Sequence, residues 1–171
     1  MRRPARLTIA AIAILAGLLA GAAPGRAATQ TVQVSASVTK PLVLTASQSL
    51  DLGTVLLGPG TWSGATIRIS RAGAFTCNNA NVTCSGATRA AIYNISGTNR
   101  QTVRITAPNV TLVSQSDPSN TLTLVLDSPA SVTLTNSGPP GTNFSIGGSI
   151  SLSSSTPGGL YSGTFNVTVD Y

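Results

Sequence analysis

Polar and apolar residues alternate with a period of two along nearly the whole chain from residue 29 onward. Successive side chains of a β-strand point to opposite faces, so this period predicts strands with one buried and one wetted face. No window beyond the first 27 residues repeats every 3.6 residues, as an amphipathic helix would. The pattern therefore predicts an all-β domain. In its clearest run, residues 31–38, four apolar side chains share one face: Val32, Val34, Ala36 and Val38.

Turns rich in Gly, Pro and Asn separate the alternating runs, as at residues 58–60 and 137–141. Many short strands with such turns between them are typical of an antiparallel sandwich or barrel. The last strand is the most regular, with Phe165, Val167, Val169 and Tyr171 on one side. The predicted strands after the first run cover residues 42–44, 50–55, 65–71, 91–96, 102–107, 110–114, 122–126, 132–135, 144–152 and 161–171.

The first 27 residues have the organisation of a secretory signal peptide. Three arginines precede an apolar stretch at residues 7–20, and small residues lead to a cleavage site after Ala27. The alternative is an uncleaved anchor, but the apolar stretch is shorter than the ~20 residues that span a bilayer. We expect residues 28–171 to form one domain without a membrane span. It would be exported by the Sec pathway to the periplasm, the outer surface or an extracellular fibre.

The charge of the chain changes when the signal peptide is removed. The full chain has a formal net charge of +6, whereas residues 28–171 carry six Lys and Arg against four Asp, or +2. These cations are scattered along the sequence, so no basic patch indicates nucleic-acid binding.

Two cysteines, Cys77 and Cys84, are the only ones in the chain. In an oxidising compartment, an isolated pair this close in sequence is expected to form a disulfide that staples a short loop. A redox-active pair usually has two intervening residues, and a zinc site needs more ligands.

The residues that most enzymes need are missing. The chain has no His and no Glu, which removes the common nucleophile–base pairs and the commonest transition-metal ligand. Its four Asp residues lie far apart in sequence. We therefore expect a non-enzymatic structural or binding module without a metal or a cofactor. The single Trp62, in a Gly-rich loop, is interpreted as a core plug or edge cover, with a ligand-stacking role as the alternative.

Three segments carry a family resemblance: VTKPLVLT at residues 38–45, LDLGTV at residues 50–55, and GGLYSGTFNVTVDY at residues 158–171. Together they resemble the bacterial domain-of-unknown-function family 4402. They are more loosely similar to spore coat protein U-like domains and to archaic chaperone–usher pilin domains. The resemblance covers essentially all of the chain after the signal peptide, and the pair Cys77 and Cys84 departs from it.

This resemblance implies an immunoglobulin-like antiparallel β-sandwich that lacks one strand, as in pilins. The N-terminal strand of the next subunit would fill the gap by β-strand addition. Residues 28–39 would then be the donor strand, with Val32, Val34, Ala36 and Val38 as its inserted side chains. The acceptor groove would be lined by Phe165, Val167, Val169 and Tyr171.

The function implied is that of a structural subunit of a surface fibre or pilus. Its partners would be like subunits, a periplasmic chaperone and an outer-membrane usher. The alternative is a β-sandwich whose own N-terminal strand folds back, and which binds a surface ligand or glycan. Alternation in sequence does not separate the two, because a donated strand and a self-inserted strand have the same pattern.

Overall fold

A computed structural model describes residues 27–171, which fall into two units divided between Ser37 and Val38. The described part of the first unit, residues 27–37, contains no helix, strand or turn. The strand predicted at residues 31–38 is therefore not formed in the single chain, because a strand needs a ladder partner to satisfy its backbone groups. Apart from Ala27, the predicted signal peptide lies outside the described residues.

The second unit is built from strands alone, which confirms the all-β prediction for the described residues. None of them forms a helix, and hence none forms a helix able to cross a membrane. Its thirteen strands are β1 Val43–Gln48, β2 Thr54–Leu57, β3 Ala65–Ile69, β4 Phe75–Thr76, β5 Val82–Ser85, β6 Ala91–Ser96, β7 Thr102–Thr106, β8 Val110–Ser114, β9 Thr121–Asp127, β10 Ser131–Thr133, β11 Thr142–Leu152, β12 Tyr161–Ser162 and β13 Thr168–Asp170.

All pairings between these strands are antiparallel. The largest sheet has eight strands and curls into half a barrel; its order is β1-β6-β11-β9-β8-β12, with β3 paired to β11 and β4 to β3. A second sheet has the order β10-β7-β13, and a third consists of β2 and β5. Most predicted strands therefore occur within a few residues of their expected bounds. The last one, residues 161–171, is divided into β12 and β13, because residues 163–167 form no ladder. Strands β4 and β5 beside the cysteines were not predicted.

Several short strands are segments of longer, bent ones. The β8–β9 pairing, with Val110 opposite Leu124, continues as the β7–β10 pairing, with Val103 opposite Val132. The C-terminal segment follows the other edge of the same long strand, through β12 on β8 and β13 on β7. Residues 161–170 therefore border residues 102–114 on one edge. On the other edge, no strand ladder forms within the described part of the chain.

Strand β11 contributes to both hydrophobic cores. Phe144 and Ile146 belong to a first core, and Ile150 and Leu152 belong to a second. Between these pairs lies Gly147, where any Cβ would collide with the carbonyl oxygen of Ile69. Only glycine permits this close approach of two backbones, so β11 can pass from β6 to β3 at this point.

The loop between β2 and β3, which carries Trp62, packs on the second core, and so do the two cysteines. The indole of Trp62 is half-buried there, and its Nε1 donates a hydrogen bond to the Gly58 carbonyl at 3.1 Å. Cys77 and Cys84 form the expected disulfide, and both residues contact the same core. The bridge therefore joins the loop before β5 to β5 itself.

Candidate strand-binding groove

An apolar groove of about 560 Å³ opens on the second core. One wall comes from residues 50–57, which include β2, and the other from residues 156–165, which include β12. Buried or half-buried aliphatic side chains form its base, so the groove can take apolar side chains. These base residues are Leu112, Leu122, Leu124, Ile150 and Leu152.

Each wall contains a strand that is paired on one edge only. Within the described residues, β2 pairs with β5, β12 pairs with β8, and no ladder joins β2 to β12. The backbone bond from the Gln115 amide to the Leu160 carbonyl, 2.8 Å, also lies on the paired edge of the second wall. A groove between two half-paired strands offers backbone donors and acceptors to an added strand, as well as apolar contacts.

The groove carries little charge. Among its lining residues, Asp51 alone has a side chain that is charged at neutral pH, and its Oδ1 accepts a hydrogen bond from the Gly53 amide at 2.9 Å. The backbone of Asp51 is held by two hydrogen bonds with Arg89, of 2.8 and 2.9 Å. The groove therefore suits an uncharged occupant, since a charged side chain in its base would lose its hydration without gaining a partner.

The disulfide lies directly behind the first wall. Cys84 is the register partner of Val55, which lines the groove, and β2 and β5 form a sheet of only two strands. An isolated two-stranded pair is marginally stable by itself. The covalent bridge therefore stabilises β5, which is the ladder partner of β2 in the first wall of the groove.

The residues expected in the donor strand are exposed. Val32, Val34 and Val38 expose 78%, 92% and 85% of their surface. Ala36 is also exposed, and no residue from 27 to 39 belongs to a strand or helix. Large apolar side chains at alternate positions of a segment with no ladder partner form a surface that binding would cover.

Of the four residues expected to line the acceptor groove, the structure places one there and the other three elsewhere. Phe165 lines the groove, and it also packs against the first core. Val167 and Val169 are half-buried against that first core, and Tyr171 is 49% exposed. The regular alternation of the last strand continues past the groove, so period alone did not show where the groove ends.

Tyr171 instead forms hydrogen bonds beside the start of β1. Its hydroxyl donates to the Lys40 carbonyl at 2.6 Å and accepts from the Thr98 amide at 2.7 Å. The Lys40 amide donates to Thr98 Oγ1 at 2.7 Å. We call these three residues, Lys40, Thr98 and Tyr171, the clamp.

Most residues of the groove could not be predicted from the sequence. The first wall coincides with the LDLGTV segment, whose sequence indicates the family but not a groove. The base draws on strands β8, β9 and β11, up to 40 positions apart, so no local pattern could have grouped them.

The family model of a domain of unknown function, DUF4402, matches residues 42–171. The match includes both walls of the groove and its base, and it begins two residues after Lys40. No curated protein and no solved structure matches the chain.

Proposed function

This chain belongs to the DUF4402 family, and from that premise we propose that it is an exported structural subunit of a bacterial surface fibre. Subunits would be joined by insertion of one chain's N-terminal strand into the next chain's groove. The observation that carries this proposal is the apolar groove between two half-paired walls.

An immunoglobulin-like assignment of the strands supports the proposal. In that fold, strands A, B, E and D form one sheet, and strands C, F and G form the other. The order β1-β6-β11-β9 corresponds to A-B-E-D, and residues 161–170 beside residues 102–114 correspond to F beside C. In this chain β9 also pairs with β8, so the strands assigned to D and C are joined. Strand G would lie along the free edge of F, which is the position of the groove.

The proposed occupant is residues 28–39 of a second copy. This segment has no charged side chain, in keeping with a groove that has one carboxylate in its wall. Fully extended, its twelve residues span roughly 40 Å.

Burial of the exposed valines would drive insertion. Each Val side chain moved from water into the base of the groove contributes roughly 1.5–3 kcal/mol. The added backbone ladder would also satisfy the free edges of both walls. An open groove promotes aggregation until it is filled. A chaperone that covers the groove during export would prevent this aggregation.

The proposal predicts that Val34→Asp abolishes assembly of the mature chain, residues 28–171. A carboxylate in the apolar base would lose its hydration, so the donor strand could not insert. The measurement is the ladder of oligomers of the purified protein on a denaturing gel without heating, together with sizing by light scattering. Wild type should form a ladder that collapses on heating.

Ser35→Asp is the matched control, because it places the same charge one residue away, on the opposite face of the strand. It should retain the ladder. A wild-type protein that stays monomeric at all concentrations would reject the proposal in favour of the self-complemented sandwich. A ladder that survives Val34→Asp would show that assembly does not use this strand.

A further inference from the structure

The clamp lies where the donor segment joins the domain. The backbone of Lys40 is held on both sides, by Thr98 Oγ1 at its amide and by the Tyr171 hydroxyl at its carbonyl. The Lys40 Nζ also donates to the Ser137 carbonyl at 3.3 Å. Residues before Lys40 therefore start from a fixed point.

A donor segment that entered the groove of its own chain would have to reverse direction at this point. Strand β1 starts beside the clamp, with Val43 opposite Ser96, and the chain then reaches the groove at Leu50. The chain after Lys40 thus runs toward the groove. Residues 28–39 reach the same groove only by turning back beside the segment that follows them.

The sequence offers a suitable turn at residues 40–43, Lys-Pro-Leu-Val. Proline is favoured at the second position of type I and type II turns, and such a turn is often closed by a hydrogen bond from the fourth amide to the first carbonyl. Here the first carbonyl, that of Lys40, points to the Tyr171 hydroxyl and accepts a hydrogen bond from it. Residues 38–42 contain no turn or bend.

We infer that the Tyr171 hydroxyl is a positioning group that prevents the N-terminal segment from folding back, and so commits it to the groove of a second copy. A closed turn at residues 40–43 would direct the Lys40 carbonyl toward the Val43 amide. The bonds from Thr98 and Tyr171 hold the Lys40 backbone in a different orientation, so the reversal would disrupt them. This inference rests on the proposed function, because it assumes that the segment enters a groove. The clamp would then determine whether the segment enters the groove of its own chain or that of a second copy.

The test is Tyr171→Phe, which removes the hydroxyl and leaves the ring. Wild type and variant are unfolded, refolded at equal concentration and separated by size. Loss of a net hydrogen bond changes an equilibrium about 2- to 10-fold, so the ratio of monomer to oligomer should rise by that factor. In the variant monomer, amides of residues 31–38 should be protected from hydrogen exchange, because the segment has inserted in its own groove.

Thr98→Ala, which removes the acceptor of the Lys40 amide, should shift the ratio in the same direction. Tyr93→Phe is the control: this tyrosine packs on the first core, and the structure records no hydrogen bond of its hydroxyl to the described residues. It should leave the ratio unchanged.

The outcomes separate the two ideas. If wild type forms the ladder and Tyr171→Phe gives the same ratio as wild type, the inference is wrong and the proposed function stands. The inference is also wrong if the extra monomer has unprotected amides at residues 31–38, since the hydroxyl then acts on stability alone. If wild type is monomeric with these amides protected, the proposed function and the inference both fail.

Discussion

Gly97 has no room for a side chain, and its neighbours explain why. A Cβ at this position would lie 2.6 Å from the Tyr171 hydroxyl oxygen, 2.7 Å from Leu42 Cδ2 and 2.9 Å from Leu134 Cδ1. The first atom belongs to the clamp, and Leu134 is a member of the first core. One small residue thus lets the C-terminal tyrosine, the start of β1 and the core meet.

We predict that Gly97→Ala lowers the free energy of unfolding by roughly 1–3 kcal/mol, the usual cost of forcing an extra carbon into a packed site. Urea unfolding of the purified mature chain measures this loss. Gly138→Ala is the control, because a Cβ there would meet no atom within 4 Å. Equal stabilities of the two variants would contradict the packing described for Gly97.

Strands β2 and β5 depend on the bridge between Cys77 and Cys84 more than the other strands do. They form a sheet of two, whereas β6 and β11 lie between neighbours on both edges. The pairing of Val55 with Cys84 connects the bridge to the groove wall. Loss of the bridge should therefore affect the wall before it affects the larger sheet.

We predict that replacing both cysteines with serine costs roughly 2–3 kcal/mol of stability, from the entropy that an eight-residue loop regains in the unfolded chain. Urea unfolding with and without reductant measures this cost, and reduced wild type should match the double variant. Amide exchange should also rise first at β2 and β5. A uniform rise over all strands would contradict the role given to the bridge.

In the whole domain, the clamp and the groove occupy different places along the same C-terminal strand. Tyr171 holds the root of the donor segment, while the groove wall lies at residues 156–165. A subunit that donates at one place and accepts at another makes a heterologous contact, and such contacts continue into open chains unless the rotation closes a ring.

We predict that chains with a disabled donor, such as Val34→Asp, cap growing oligomers. Such a subunit can accept a donor strand but has no working donor strand of its own. An oligomer whose donor strand enters the groove of this subunit therefore cannot add another subunit at that end. Adding it in increasing proportion to refolding wild type should shorten the mean oligomer length measured by light scattering. Adding Ser35→Asp should leave that length unchanged, and shortening by both variants would contradict head-to-tail growth.

Alternation with period two is a local property, and it determined the elements of this protein. It indicated an all-β chain and placed strands such as β6 and β8 at residues 91–96 and 110–114. The close cysteine spacing indicated the bridge, and three short segments indicated the family. Each of these inferences needs only residues that are near one another in the chain.

Tertiary structure alone decided which apolar faces are covered and which stay open. Phe165, Val167 and Val169 have the same alternation, yet Phe165 lines the groove, whereas Val167 and Val169 pack on the first core. The difference comes from the neighbours that long-range pairing brings to each residue. In the same way, the apolar alternation of residues 31–38 needs a partner edge before it becomes a strand.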